Sequence, residues 1–165
     1  YREGSVVSLW TGRDALMAGE TVLFMDADVL YDAAILQKMI KGPGATCFPF
    51  DTSFEDGDEP VKFCLRGDRP VEFRKAVANR DYDIVGEWVG FIRLDPVFGA
   101  ALARQTEIYI ADGRVDDPYE EAVRDLLLSD LGDTVGAVDI AGLAWIEIDF
   151  PEDVERATRD VLPRI

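Results

Sequence analysis

The sequence contains no histidine, only two cysteines, and 17 lysines and arginines against 33 aspartates and glutamates in 165 residues. Without imidazole, neither a Ser-His-Asp nor a Cys-His nucleophile can be assembled, and His-ligated zinc is excluded. Cys47 and Cys64 are too few for a four-thiolate metal site or a disulfide scaffold. Two reduced, buried thiols are the expected state, although a bridge between neighbouring strands is also compatible with the sequence. No apolar run approaches the roughly 20 residues of a membrane helix, and no signal peptide is legible. A cytoplasmic protein without a membrane partner is therefore expected. The formal charge of −16 makes a surface that repels phosphate backbones and anionic lipid, so no nucleic-acid partner is expected. A metal ion can still invert the sign locally and admit an anionic small molecule. Acid chemistry in this chain must run on carboxylates.

Hydrophobic residues, 48% of the total, are enough to bury a core, and the length suits one domain. Helical spacing predicts a helix over Ser5 to Ala18. Thr21 to Met25 reads as a short buried parallel strand that runs into Asp26-Ala27-Asp28. Asp32 caps a helix through Lys41, stopped by Gly42-Pro43-Gly44, and Ala45 to Phe50 is a second core strand. Asp51 to Pro60, with five acids in ten residues, reads as a solvated loop. Val61 to Arg66 and Pro70 to Phe73 form a hairpin around Gly67-Asp68. Ile84 to Leu94 is a long strand interrupted at Gly86 and Gly90. Helices follow from Asp95-Pro96 to about Ile110, from Pro118 to Leu131, and from Pro151. Val135 to Ile140 and Leu143 to Ile148 are expected to pair across Ala141-Gly142. Strands alternating with helices predict one α/β domain, partly parallel, with inserted antiparallel hairpins.

Two acidic constellations carry candidate chemistry. Residues i and i+2 of an extended segment project to the same side, so Asp26 and Asp28 converge where a strand ends. Hard oxygen ligands there suit Mg²⁺ or Mn²⁺ bound together with substrate phosphates. Glu147-Ile148-Asp149 repeats the pattern about 120 residues later, although Asp149 also suits a helix cap. If the two pairs meet, they form a carboxylate site of three or four oxygens. Glu87 sits within a long apolar run, where a glutamate should be paired or functional. Trp88 and Tyr119 suit either a cation-binding pocket or plain core packing. Lys62, between Val61 and Phe63, could orient a phosphate, though a strand-edge lysine is commoner.

The segments EGSVVSLWTGRDAL (Glu3 to Leu16), VLFMDADVL (Val22 to Leu30), VGEWVG (Val85 to Gly90), YEEAVR (Tyr119 to Arg124) and WIEIDFPEDVERA (Trp145 to Ala157) together resemble the sugar-nucleotidyltransferase-like enzymes of the cytidylyltransferase type, near the phosphocholine, 2-aminoethylphosphonate and inositol-phosphate members. The resemblance implies a Rossmann-like, GT-A-like three-layer fold with a central mixed sheet. It implies Mg²⁺-dependent joining of CTP, or another nucleoside triphosphate, to a small phosphorylated acceptor, with release of pyrophosphate. Carried over, it makes Asp28, Glu147 and Asp149 the catalytic metal ligands. It places Glu87, Trp88, Tyr119 and Glu120 around the acceptor. The family opens with a strand and a Gly-rich, Arg- and Lys-bearing loop for the nucleotide, and no such loop stands before Tyr1. Residues 1–165 are therefore expected to form one nucleotidyltransferase domain lacking that loop and inactive alone. Phe150 also departs from the family, standing where many relatives carry a small hydroxyl residue able to cap the last helix. Homo-oligomerisation and fusion to another enzyme domain are both compatible with the sequence.

Nucleotidyl transfer needs alignment and charge neutralisation more than a protein nucleophile, so it tolerates the missing histidine. Three alternatives stay open on the residues alone. A dehalogenase-type hydrolase would use Asp26 as nucleophile and Asp28 as acid/base, but gives Glu147 and Asp149 no role. A GT-A-type glycosyltransferase would use Asp-x-Asp to hold the metal of a sugar nucleotide. A non-catalytic acidic module would have Asp28 far from Glu147 and Asp149.

Overall fold

The computed structural model describes residues 4–55, 57, 59–78 and 81–165. Asp56 and Asp58 of the acidic loop, and Tyr1 to Glu3 at the head of the first resembling segment, lie outside the described residues.

The apolar runs become strands and the periodic segments become helices, but their partners differ from expectation. Among the described residues, seven strands share one sheet: β1 (Val22–Met25), β3 (Thr46–Asp51), β4 (Lys62–Arg66), β5 (Arg69–Arg74), β6 (Ile84–Trp88), β7 (Phe91–Leu94) and β8 (Val135–Asp139). β6 and β7 are the expected long strand, broken at Val89-Gly90, where Gly90 has φ +80. That left-handed backbone is open to glycine at little cost. The bent strand pairs antiparallel with β3 on one side, and with β1 and β4 on the other. β4 and β5 form the expected hairpin. The sheet is mixed because β8 runs parallel to β3, Thr46 to Phe50 against Val135 to Asp139.

Three expectations are corrected. β1 is not a parallel strand; it lies antiparallel to β7, with Val22 opposite Leu94. The hairpin of Val135 to Ile148 does not form. Its second half, β9 (Trp145–Glu147), pairs instead with β2 (Val29–Tyr31) in a separate two-stranded sheet. A parallel partner for β8 and an antiparallel one for β9 are long-range choices that no local pattern encodes. The first helix is two pieces, α1 (Ser5–Thr11) and α2 (Arg13–Leu16), divided at Gly12.

Helices cover both faces. α3 (Ala33–Lys41) begins where Asp32 Oδ1 accepts from Ala34 N at 2.8 Å. It packs Ile35 and Met39 on Val89, Phe91 and Ile140. At its other end the Arg93 guanidinium donates to the carbonyls of Met39 (2.8 Å), Ile40 and Gly42 (3.2 Å), which gather at the C-terminal end of the helix. The opposite face holds the larger core, beneath α1, α4 (Pro96–Ala111) and α5 (Tyr119–Leu127). Asp95 caps α4 by accepting from Val97 N at 2.7 Å, with Pro96 in the first turn.

Phe48, Phe63, Phe73 and Phe98 are fully or almost fully buried there. Burying each ring is worth about 1.5–3 kcal/mol. The rings run outward in contact, Phe73 to Trp88 at 5.1 Å, Trp88 to Tyr119 at 6.1 Å and Tyr119 to Phe24 at 5.1 Å between centroids. This aromatic chain runs from the core to β1. α5 is tied to β5 by two-point ion pairs, Arg124 with Glu72 and Arg74 with Glu121. Both thiols, Cys47 and Cys64, are free and fully buried. After α6 (Pro151–Arg156) the chain closes in a short irregular helix with Ala157 and Val161 buried. Among the described residues, no helix is long and apolar enough to cross a membrane.

Candidate functional site

β1 ends at Met25, but the ladder persists one residue further, with Asp26 N donating to Gly90 O at 3.0 Å. The chain then turns through Ala27-Asp28 into β2. There Val29 stands opposite Glu147, and Ile148 N donates to Asp28 O at 2.9 Å. This short antiparallel pairing brings the two acidic segments together. One carboxylate oxygen each from Asp28, Glu147 and Asp149 lies within 4.8 Å of the others, and all three residues are exposed. Three hard oxygen donors, with no nitrogen or sulfur among them, fit a divalent cation such as Mg²⁺.

The fourth acid, Asp26, does not join them. Its Oδ2 accepts from the Tyr119 hydroxyl at 2.6 Å, and its side chain lies against Gly90. Burial, with the charges of Glu120 and Asp28, raises its pKa to about 6 despite the Tyr119 hydrogen bond. Glu147 is pushed up to about 7, first by desolvation and then by the negative charges of Asp149, Asp28, Asp26 and Glu87. Crowded carboxylates that resist ionisation gain most from a neighbouring cation.

Two cavities adjoin the carboxylates. A small one of about 50 Å³ is lined by Asp26, Trp88, Gly90, Glu120, Glu147 and Lys75, among others. A cleft of about 310 Å³ holds Glu147 and Asp149 beside Lys75, Arg156, Glu87 and Trp145. Lys75 Nζ pairs with Glu59 at 3.0 Å and Arg156 with Asp153 at 3.2 Å. The Trp145 indole donates to Asp51 Oδ2 at 2.8 Å, which fixes that ring as a wall. Glu87 lies opposite Asp51 across β3 and β6, and burial together with the Asp51 charge raises its pKa to about 7.

Of the residues expected around an acceptor, Glu87 thus lines the cleft. Trp88 is only 5% exposed, with its indole donating to Phe91 O at 2.9 Å, and it lines the small cavity. Tyr119 is buried and committed to Asp26, while Glu120 is half-buried with its Oε2 lacking a hydrogen-bond partner among the described residues. Lys62 bonds the carbonyls of Gly57 and Lys75 and stands opposite Glu87 across β4 and β6. Sequence reasoning passed over Lys75, Arg156 and Trp145. The lysine and arginine sit among ordinary surface patterns, and Trp145 carried a signal only through its nearness to Glu147. At the last helix, where Phe150 offers no side-chain cap, Asp153 accepts from Asp149 N and Phe150 N instead.

No protein-family model matches the sequence, and no curated protein matches it. Solved structures do. An inositol-1-phosphate CTP transferase from T. maritima superposes with a TM-score of 0.64 at 16% identity, over 91% of this chain and 57% of that one. A structure described as a glucose-1-phosphate thymidylyltransferase from Bacillus anthracis, in complex with sucrose, gives 0.66 at 9% identity, over 95% of this chain and 61% of that one. The chain therefore has the Rossmann-like α/β fold of these nucleotidyltransferases and spans about three-fifths of their length.

Proposed function

We propose that this chain is a nucleotidyltransferase domain that joins CTP, or another nucleoside triphosphate, to a small phosphate- or phosphonate-bearing acceptor such as phosphocholine, releasing pyrophosphate. The observation that carries this reading is the convergence of Asp28, Glu147 and Asp149 on such a fold. Those three residues would hold Mg²⁺, which when bound neutralises developing charge on the phosphates. Lys75 and Arg156, each ion-paired with a neighbouring carboxylate, line the cleft and would receive the acceptor's anionic end. Glu87 and Trp145 offer a carboxylate and an aromatic face to a positively charged end. The attacking phosphate oxygen is already ionised at neutral pH, so no general base is asked of the protein. Alignment and exclusion of water are what the side chains contribute.

The reading also has the nucleotide's base and phosphates held by a strand and Gly-rich loop outside residues 1–165. It is supported by the outer edge of β1, which has no strand partner among the described residues. That edge borders a groove of about 440 Å³ lined by Leu9, Leu16, Val22, Leu23 and Phe24, among others. An apolar strand with an open ladder is a ready template for another strand. A glycosyltransferase using both acids of Asp-x-Asp is less well supported, because Asp26 is bonded to Tyr119 and stands apart from the other carboxylates.

The test is pyrophosphate release from CTP by the complete protein, with choline phosphate, 2-aminoethylphosphonate and inositol phosphate as acceptors. Release with at least one acceptor is expected, and residues 1–165 alone should be inactive. No release with any nucleotide and acceptor would overturn the proposal.

A further inference from the structure

Asp28 leaves β1 on a two-residue turn, and such a turn is rigid only if both of its ends are fixed. One end is fixed by β2 and β9, through the pairing of Val29 with Glu147 and the bond from Ile148 N to Asp28 O. The other end is Asp26. Its backbone N–H is held by Gly90 O, and its carboxylate accepts a hydrogen bond from the Tyr119 hydroxyl at 2.6 Å. A methyl group on Gly90 would lie 2.8 Å from Asp26 Oδ2, so the carboxylate lies directly on the glycine backbone.

Tyr119 is itself held from several sides. Its ring packs edge-on against Phe24 and Trp88, and its N–H donates to Ser5 Oγ at 3.0 Å. The phenol therefore links the aromatic core to the strand end from which Asp28 projects.

We infer that Asp26 and Tyr119 are positioning residues: their hydrogen bond, seated over Gly90, holds Asp28 at the distance from Glu147 and Asp149 that a divalent cation requires. This rests on the reading of those three carboxylates as metal ligands. It gives the first acid of Asp-x-Asp a role other than ligation, and gives Tyr119 a role other than contact with an acceptor. The bond needs an acceptor oxygen at residue 26, not a charge. An asparagine can supply that oxygen, whereas alanine cannot.

Mn²⁺ binding to the full chain, followed by titration calorimetry and by electron paramagnetic resonance of free Mn²⁺, separates these roles. Far-ultraviolet circular dichroism and melting report whether each variant is folded. Loss of an outer contact that orients a metal ligand typically weakens affinity by about 10–100-fold. Tyr119→Phe and Asp26→Ala should each raise the Kd for Mn²⁺ by about tenfold or more, while Asp26→Asn stays within about threefold. Asp26→Asn as damaging as Asp26→Ala would mean that the charge itself contacts the ion, and the inference fails. Tyr119→Phe binding like the parent also overturns it. Asp28→Asn separates this inference from the reading beneath it. If Asp28→Asn binds Mn²⁺ normally, the metal site is wrong. If Asp28→Asn abolishes binding while Tyr119→Phe leaves it intact, only the positioning role is wrong.

Discussion

Replacing Glu87 with glutamine should make the protein more stable above neutral pH and hardly change it in acid. Glu87 lies half-buried opposite Asp51, which is itself only 6% exposed. Burial and the Asp51 charge lift its pKa from 4.5 to about 7. The folded protein then keeps a proton on Glu87 that the unfolded chain has already released. Rising pH between about 4.5 and 7 therefore removes stability, and the full loss is present above 7. The shift would correspond to about 3 kcal/mol if none of it were screened; with the side chain partly open to the cleft, about 1–2 kcal/mol is expected. Glutamine removes the charge and keeps the shape. Thermal melts of parent and Glu87→Gln at pH 4.5 and pH 8 test this directly. The gain should be a few tenths of a kcal/mol at pH 4.5 and about 1–2 kcal/mol at pH 8, roughly 2–8 °C for a chain of this size. An equal gain at both pH values, or a loss at pH 8, would refute the reasoning. Under the proposed function, the same variant should also bind a positively charged phosphorylated acceptor more weakly, since stability of this kind is often exchanged for function at a site.

Asp28→Asn and Glu147→Gln should each abolish turnover by the complete protein while leaving circular dichroism unchanged; near-normal activity in either removes that residue from the ligand set. Gly90→Ala forces a side chain into the left-handed region and against Asp26, so it should cost about 2 kcal/mol. An unchanged urea midpoint would show that the strand break tolerates a Cβ. Phe63→Ala empties a fully buried position within the aromatic cluster. A loss of about 3–5 kcal/mol is expected by denaturant unfolding, and a loss below 1 kcal/mol would mean that the cluster recloses around the gap.

Much of the fold follows from local chemistry that the sequence states openly. Asp32 and Asp95 cap their helices as their positions imply, Gly42 ends α3, and the β4–β5 hairpin turns at Gly67-Asp68. These features depend on neighbours within a few residues. The kinship of Asp28 with Glu147 and Asp149 was legible as two repeated carboxylate pairs at strand ends, and as a resemblance. The roles of Trp88 and Tyr119 were not legible, because an aromatic at the edge of a pocket and one in a core follow the same pattern. Lys75 and Arg156 carry no local signal, since a surface cation gains meaning only from what lies across from it.

What the sequence determined by itself is an α/β domain, a chemistry without imidazole, and a set of carboxylates at strand ends. Composition, periodicity and capping are properties of the chain alone. Only the tertiary structure decided which carboxylates meet. It did so by pairing β9 with β2 instead of β8, and by binding Asp26 to Tyr119 so that Asp28 alone of that pair joins Glu147 and Asp149. The physical reason is that strand partners and buried hydrogen bonds are selected by packing between segments about a hundred residues apart, and the spacing within any one segment does not record that choice.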